Sequence, residues 1–537
     1  MNKTFCYRIY GDNIIECLRI IKMVENNSLI SFDKKVQFVN QLLIRVILTS
    51  DEYTLILDLV PGFDKANKHR WKENILDEYK KLGSTLDETA DAFISEVNGN
   101  TEKILAVIEF CSALQAGNQA WQRSGRAFSC GQTRIPYFYV IDLPKYELDP
   151  ETRERKSLRL PNPVVAFSYL AYSTMIDSPV LQIITKAEEF FETQNMFDEK
   201  AVSKIFNDTE LEDFLVKTLI KQPADEIVER IKAKNFELVK FLPTVMNIDF
   251  TAEDISKIDA EYPAESIIKH TNIKFKKRIA QKSATGKIIA LNEIVSKYSI
   301  GVFKKDLPFG IIPGKNIKKF VQECAKIYRI SDTYKKELLQ KGYIVVTLMK
   351  GFKPGGDDNR PDRGILPMLR MLFGEAATIL TIIYGPIVKS NYDLLLTNKV
   401  KLGKSNGLWQ TYINLSDYLL YDCPVIGEKG NVAALTKMNH VAYSNDSVNT
   451  TFRKLDLSPV GFREDEVDSL FHLLFEYYVP GSFCGMCNPP GGDWSGISIR
   501  NKEAVYRWLS LPRVSEDKRP DHVIQVWIDE TDYIMVM

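Results

Sequence analysis

Two acidic residues in the first quarter of the chain have a spacing that suits metal chemistry. Asp91 begins the segment DAFISEV, and Glu109 ends the apolar run ILAVI eighteen residues later. The turn-forming sequence Asn98-Gly99-Asn100 lies between them and predicts a β-hairpin. Such a hairpin can bring both carboxylates to one end of adjacent strands, where they can hold Mg²⁺ with its waters. A metal ion there activates water and neutralises charge on a phosphate under attack.

Polar and basic side chains crowd the segment after Glu109, which we predict to be a helix over 116–128. These side chains surround Trp121 and are Gln115, Asn118, Gln119, Gln122, Arg123 and Arg126. Such side chains suit contacts with phosphates and base edges, so we predict Gln122, Arg123 and Arg126 to bind DNA. The alternative is an ordinary amphipathic helix with Trp121 in a core, beside two acids on a surface hairpin.

The acid–hairpin–acid arrangement resembles the PD-(D/E)XK nuclease superfamily, which includes many restriction endonucleases. The resemblance covers roughly residues 5–145 and rests on a short motif. It implies Mg²⁺-dependent hydrolysis of DNA, with Asp91 and Glu109 as the metal ligands and catalytic acids. An acid in the first helix often assists in this family, and Glu16 in GDNIIEC matches that place.

One position departs from the family pattern. The family's lysine belongs two residues after the glutamate, and this chain has Cys111 there. We expect Gln115 or Gln119 to take over the lysine's role, with Gln119 as the catalytic candidate. An inactive unit is the alternative. Asp64, in PGFD, is a second candidate for the first acid, although it lies far from Glu109 in sequence.

A rival acid stands near the end of the sequence. The segment KRPDHVIQVWIDETDYIMVM contains Pro520-Asp521, then two strand-like runs separated by the turn DETD. In the same family a Glu-x-Lys would follow such a strand, but the sequence stops inside an apolar run. We therefore expect a shortened form of a longer protein and keep Asp521 as a catalytic candidate. The alternative is a closing hairpin whose last strand pairs in a sheet.

Other motifs carry weaker signals. The loop 350–364 contains GGDDNRPDRG, which could bind metal or phosphate, although these are also common turn residues. The pair Cys484-x-x-Cys487 lacks the second pair that a structural zinc needs, so unligated thiols are expected. The segments LGKSNG and ATGK lack the glycine of a phosphate loop, so ATP hydrolysis is unsupported. Five histidines and no Ser/His elbow motif give weak support for a hydrolase triad.

The chain is long enough for several domains. Its 537 residues exceed a single hydrophobic core, which predicts two to four domains. Residues 1–195 predict a nuclease-like α/β domain with one mixed sheet covered by helices. Its helices are predicted at 13–24, 71–82 and 116–128, and its strands at 53–60, 90–97, 104–110 and 135–143.

The middle of the chain has a different character. Residues 196–340 mix charged and apolar residues at helical spacing and are rich in lysine. We predict a mainly helical DNA-binding domain in which Lys276, Lys277 and Arg278 contact phosphates. A short helix-turn-helix over 291–306 is one form of this hypothesis. The alternative is a solvated helical face, because charge runs usually only solubilise.

Residues 341–537 return to α/β character, with strand-like YIVVTLM and ATILTIIYG. This domain either recognises sequence or holds another, truncated nuclease core. The predicted fold class is therefore multidomain α/β, with mixed-sheet restriction-endonuclease-like cores and a mainly helical middle domain.

Composition and charge limit the way the protein can bind DNA and the compartment in which it is expected. The formal net charge is zero, so DNA binding must use local basic patches. Eight scattered cysteines do not form a disulfide framework, which favours a reduced compartment. No secretory signal is seen, and the longest apolar run, 376–388, is too short to cross a bilayer. We expect a cytoplasmic protein without a membrane partner.

Together these observations predict a Mg²⁺-dependent restriction-type endonuclease that hydrolyses phosphodiester bonds in double-stranded DNA. The alternative is a non-catalytic DNA-binding or assembly protein with a degenerate nuclease-like fold. An RNA-directed nuclease is a third hypothesis. A companion methyltransferase and a homodimer are further expectations, although the sequence shows no dimer signature.

Overall fold

The structure is a computed structural model, and it describes most of the chain. The described residues are 2–12, 14–25, 27–39, 43–62, 71–86, 88, 90–111, 123–148, 155–187, 190, 197–245, 286–299, 309–351, 360–404, 407–438, 451–458, 497–500, 504–508, 523–528 and 531–536.

The helices of the described residues extend along the chain from Ile14 to Leu415. The described helices are α1 (Ile14–Glu25), α2 (Ile75–Lys81), α3 (Ser124–Gln132), α4 (Pro163–Ile176), α5 (Glu199–Ile205), α6 (Glu210–Leu219), α7 (Asp225–Val245), α8 (Gly286–Tyr298), α9 (Gly314–Ile327), α10 (Asp332–Leu339), α11 (Arg360–Phe373), α12 (Lys389–Thr397), α13 (Lys399–Gly403) and α14 (Leu408–Leu415).

The strands fall into four sheets. The described strands are β1 (Lys3–Gly11), β2 (Asp33–Phe38), β3 (Ile44–Thr49), β4 (Tyr53–Pro61), β5 (Ala92–Asn98), β6 (Thr101–Cys111), β7 (Tyr137–Leu143), β8 (Lys145–Leu148), β9 (Arg155–Arg159), β10 (Val180–Lys186), β11 (Phe309–Pro313), β12 (Tyr343–Met349), β13 (Ile379–Ile383), β14 (Tyr418–Pro424), β15 (Asn431–Lys437), β16 (Thr451–Arg453), β17 (Ile497–Arg500), β18 (Ala504–Trp508), β19 (Val523–Ile528) and β20 (Thr531–Val536).

The first sheet is mixed and has the strand order β10-β7-β6-β5-β1-β4-β3-β2, with β16 added alongside β6. Strands β1 and β4 are parallel, as are β6, β7 and β10, whereas β5 is antiparallel to both of its neighbours. The carboxyl ends of the parallel strands and the amino end of β5 therefore meet at one edge of the sheet. In open α/β sheets this edge is where ligands bind.

Helices cover both faces of the first sheet. Helices α1 and α6 pack on one face, where Ile108 and Phe110 of β6 point. Helices α2, α3 and α4 pack on the other face, together with Val107. Helix α4 is apolar around nearly its whole circumference, which is typical of a helix buried on all sides. It begins with Pro163 at its first position, and the side chain of Asn162 caps it by accepting from the Val164 amide.

The second sheet has the order β11-β12-β13-β14-β15, with β12, β13 and β14 parallel. Helices α11 and α14 lie on its inner face and share one hydrophobic cluster with α4 and the first sheet. Helices α8, α9 and α10 cover its outer face. The two sheets therefore enclose a common layer of helices between them.

Strands β17–β20 form an antiparallel sheet of consecutive hairpins, and β8 pairs with β9. Strands β19 and β20 form the closing hairpin that was the alternative interpretation of the chain's last segment. Within the described ranges, none of the helices has the length and apolarity that crossing a membrane would need.

The structure confirms the mixed α/β class and the β5–β6 hairpin, whereas a restriction-endonuclease-like core stays a prediction. One helix was predicted to begin too early, and one segment predicted as a loop is partly helical. The helix predicted from residue 71 begins at Ile75, because Asn74 caps it. The loop predicted over 350–364 is helical from Arg360, because Pro361 is tolerated in a first turn and an apolar segment follows.

Helices α5–α7 pack against the first sheet, and α8 packs with the second sheet. The predicted domain boundaries at 195 and 340 remain predictions. Of the predicted helix-turn-helix over 291–306, residues 291–298 are helical and 300–306 lie outside the described residues.

Candidate active site

A β-bulge in the β5–β6 hairpin decides which side chains of β6 share a face. Ile94 pairs with Ala106, but the next residue, Ser95, pairs with Ile104, so Leu105 is the extra residue. Glu102 and Glu109 are seven residues apart and would point to opposite faces of a regular strand. The bulge turns both toward the helical layer between the sheets, and both are 0% exposed.

At the carboxyl edge of the first sheet, which is the edge where the parallel strands end, the carboxylates of Asp91 and Glu109 meet at one guanidinium. Nη1 of Arg126 donates to Oδ1 of Asp91 at 2.8 Å and to both carboxylate oxygens of Glu109 at 2.6 and 2.7 Å. Oδ2 of Asp91 accepts from the Phe110 amide at 2.9 Å, which fixes Asp91 against the end of β6. The hairpin therefore brings the two predicted acids together.

Arg123 and Arg126 reach this pair from the start of α3. Nε of Arg123 lies 2.7 Å from Oε1 of Glu109, and both arginine side chains are 23% exposed. The cluster continues to Glu88, whose carboxylate lies 3.0 Å from Nη1 of Arg363 at the start of α11. The charges of these acids and arginines balance, and the cluster joins the first sheet to a helix of the inner layer.

Burial and charge act against each other here. Burial raises the pKa of Glu109 to about 7, and Asp91 adds to the rise, whereas Arg126 and Arg123 oppose it. Burial acts to lower the pKa of Arg126, but the carboxylates of Glu109 and Asp91 outweigh it and raise that pKa well above its usual value. Arg126 therefore stays a cation between the two acids. The carboxyl group of Glu109 holds its proton more tightly than the carboxyl group of an exposed glutamate does.

The other buried glutamate of β6 lies near the hairpin turn, and no sequence pattern predicted it. Glu102 accepts from Nη1 of Arg8 at 3.0 Å, from the Ser95 hydroxyl at 2.6 Å and from the Tyr10 hydroxyl. The Leu455 amide donates to it at 3.3 Å, and Arg8 also donates to the Leu455 carbonyl at 3.0 Å. Strand β16 thus brings a distant segment onto this buried ion pair.

The remaining predicted site residues either lie apart from this cluster or fall outside the described residues. Glu16 lies in the first turn of α1, beyond the carboxyl end of β1, on the helix that covers the opposite face of the sheet from Glu109. The other candidates lie outside the described residues; they are Asp64, Gln115, Gln119, Gln122, Lys276, Lys277, Arg278, Cys484, Cys487 and Asp521.

The donor set of Asp91 and Glu109 matches Mg²⁺, which is usually held by one or two carboxylates and its own waters. In the described arrangement a guanidinium nitrogen already contacts both carboxylates. Among the residues that the structure describes, no three or more His, Cys, Asp or Glu side chains group as metal ligands. The pair is therefore a cation site in its chemistry, and Arg126 supplies the cation.

No family model, curated protein or solved structure matches this chain. The function must therefore be inferred from the geometry of the site itself.

Proposed function

We propose that the chain is a Mg²⁺-dependent endodeoxyribonuclease of the restriction type that acts on double-stranded DNA. One observation carries the proposal: Asp91 and Glu109, from a hairpin, converge on one cation at the carboxyl edge of a mixed sheet, where ligands commonly bind in open α/β sheets. Paired carboxylates in such a position are the usual ligands of the metal ion that serves phosphodiester hydrolysis.

In this proposal the guanidinium of Arg126 stands where Mg²⁺ would bind. Asp91 and Glu109 would hold the ion, which supplies an activated water and offsets the charge on the phosphate. Arg126 and Arg123, which reach the acids from the start of α3, would then be available to bind a phosphate oxygen. Both arginines are part-exposed, so a DNA backbone can reach them.

Other components of the proposal rest on the sequence. Gln119 would orient the attacking water in place of the missing lysine, Glu16 would assist, and Asp521 is the rival acid. Gln122 and the cluster Lys276, Lys277 and Arg278 would contact DNA. A cytoplasmic location, a homodimer and a companion methyltransferase complete the proposed restriction system.

The test is cleavage of supercoiled plasmid DNA by the full chain with and without Mg²⁺. We expect cleavage that requires Mg²⁺ and is abolished in Glu109→Ala, while DNA binding of the variant is spared. Binding is spared because the two arginines and the basic surfaces remain. Unchanged cleavage by Glu109→Ala would remove the central assignment.

A second candidate function is favoured by Arg126 itself. Its guanidinium occupies the place between the carboxylates, and Cys111 stands where the family has its lysine. These two features favour a non-catalytic DNA-binding or assembly protein with a degenerate nuclease-like fold. In the same plasmid experiment this candidate predicts binding to DNA without cleavage at any Mg²⁺ concentration.

A further inference from the structure

The exposed face of α9 carries a line of cations on the outer side of the second sheet. Counting from the start of the helix, the exposed positions include Lys315, Lys318, Lys319 and Lys326. Successive residues of a helix are separated by 100°, so these four lie within an arc of about 100°. With a rise of 1.5 Å per residue, the line is about 16 Å long.

The opposite face of α9 is part of the core. Ile317, Phe320 and Val321 are buried against the second sheet and α8. The helix therefore cannot place an apolar face in a lipid surface, as an amphipathic interfacial helix does. Its cations are presented outward on a rigid element.

Charge neutralisation on this face is small. The one acid in the sequence of α9 is Glu323, and it is held by Lys297 at 2.9 Å and by the Tyr298 hydroxyl, both from α8. Within the described part of the chain, Lys315, Lys318 and Lys319 form no ion pair. The line is thus a local basic surface on a chain whose net charge is zero.

The first turn of the neighbouring helix α10 has a side-chain cap and an acid, which the first turn of α9 does not have. Ser331 caps it by accepting from the Tyr334 amide, and Asp332 in the first turn pairs with Lys335 at 3.0 Å. Helix α9 follows Pro313 without a side-chain cap, has no acid in its first turn and has Lys315 there. Cations at the positive end of a helix are unfavourable in isolation, whereas an anion bound there is favoured.

A further lysine belongs to the same region. A Cβ atom on Gly314 would lie 2.7 Å from the Gly342 carbonyl, so the loop Lys341-Gly342 abuts the start of α9. Lys341 is exposed. Several cations therefore surround one uncapped helix start.

We infer that the exposed face of α9, with Lys315, Lys318, Lys319 and Lys326, is a docking surface for the phosphate backbone of duplex DNA. A line of about 16 Å extends beside about five base pairs measured along the duplex axis, where each strand carries one negative charge per 3.4 Å. This inference rests on the proposed function, because that function makes DNA the substrate. It assigns DNA binding to described residues on a helix that covers the second sheet, far from Glu109 in the sequence.

The test uses the full chain and a fluorescent duplex, with binding followed by anisotropy between about 50 and 200 mM salt without divalent cations. We expect the triple variant Lys315→Ala, Lys318→Ala, Lys319→Ala to bind at least about tenfold more weakly at the lowest salt. Its plot of log affinity against log salt should be shallower by about 2.7, because each phosphate contact contributes about 0.9 to the slope. The matching Lys→Arg triple variant should retain the wild-type slope.

A second triple variant controls for the change in net charge. Lys200→Ala, Lys204→Ala, Lys240→Ala removes the same charge from α5 and α7 beside the first sheet, and its slope should not change. An unchanged slope in the α9 variant would overturn the inference, as would equal binding of double-stranded RNA by the wild type.

Cleavage in Mg²⁺ separates this inference from the proposed function. If the α9 variant still cleaves DNA and its salt slope is unchanged, the docking surface is refuted and the endonuclease proposal stands. A reduced slope without cleavage by the wild type supports the surface and refutes the endonuclease.

Discussion

Strand β6 carries two fully buried glutamates, one near each end, and the two differ in their bonding partners and in the exposure of those partners. At the hairpin end Glu102 is bonded to one guanidinium, two hydroxyls and one amide, and the side chain of Arg8 is 10% exposed. At the carboxyl edge of the sheet Glu109 is bonded to two guanidiniums, on side chains that are 23% exposed, and stands beside a second carboxylate. The two glutamates are about 20 Å apart along the strand.

The ion pair at Glu102 is therefore closed to solvent, whereas the cations at Glu109 are partly open to it. The segment after β16 covers Glu102 and Arg8 through the Leu455 amide and carbonyl, whereas the arginine side chains over Glu109 are 23% exposed. A buried ion pair is weak support for stability as such, but removing one partner is costly. The same type of residue on the same strand is therefore expected to act in folding at one end and in chemistry at the other.

The largest effect on stability is expected at the hairpin end. Glu102→Gln leaves the guanidinium of Arg8 without its buried counter-charge, which should lower the free energy of unfolding by about 3–5 kcal/mol. Urea denaturation measures this change. The control is Glu96→Gln on the neighbouring strand, whose part-exposed pair with Lys221 should contribute at most about 1 kcal/mol. Equal losses in the two variants would show that the Glu102 cluster has no special structural role.

A metal ion should distinguish the two ends when each loses its arginine. Arg126→Met leaves Asp91 and Glu109 without their shared cation, so Mg²⁺ or Mn²⁺ should stabilise the variant by about 2.7 kcal/mol at 100 times Kd. Arg8→Met leaves Glu102 among hydroxyls and an amide, so it should show no such rescue. Thermal unfolding with increasing metal concentration measures both. Absence of rescue in Arg126→Met would mean that the acid pair is not a metal site.

The pH dependence should be a smaller effect and should belong to Glu109. Because burial raises the pKa of Glu109 to about 7, the folded state holds its proton more tightly than the unfolded chain does. The contribution of Glu109 to stability is therefore greatest below pH 4 and is lost as pH rises through 7. Between pH 5 and pH 7 the wild type should lose stability relative to Glu109→Gln, by at most about 1.4 kcal/mol per pH unit.

Urea denaturation of both proteins at several pH values measures this difference, and using Glu109→Gln as the reference removes the contribution of the other carboxylates. A wild type that gains stability relative to the variant as pH rises would show that attraction to the guanidiniums outweighs burial.

Local patterns predicted the elements that the site needs. The Asn98-Gly99-Asn100 turn between two apolar runs was sufficient for the β5–β6 hairpin, and helical spacing predicted α1. Strand β1 was missed, although KTFCYRIYG contains alternating apolar residues, because its position in the middle of the sheet depends on strands β4 and β5. Pairing over long sequence separations leaves no local signal.

The site shows the same limit. Asp91 and Glu109 were predicted to meet, and they do, because the hairpin is a local structure. Arg126 was predicted to contact DNA, but which acid it pairs with depends on how α3 returns to the sheet. Glu102 could not be predicted to be buried, because its burial needs the bulge at Leu105 and a segment around Leu455.

The most direct test measures plasmid cleavage in Mg²⁺ per folded molecule for the wild type, Glu109→Gln and Glu102→Gln. We predict that Glu109→Gln is folded, binds DNA and cleaves at least about 1,000-fold more slowly, which is about 4 kcal/mol of lost transition-state stabilisation. Glu102→Gln should be less stable but should cleave at the wild-type rate once the folded fraction is taken into account. Wild-type cleavage by Glu109→Gln would contradict the assignment of the acid pair as the active centre.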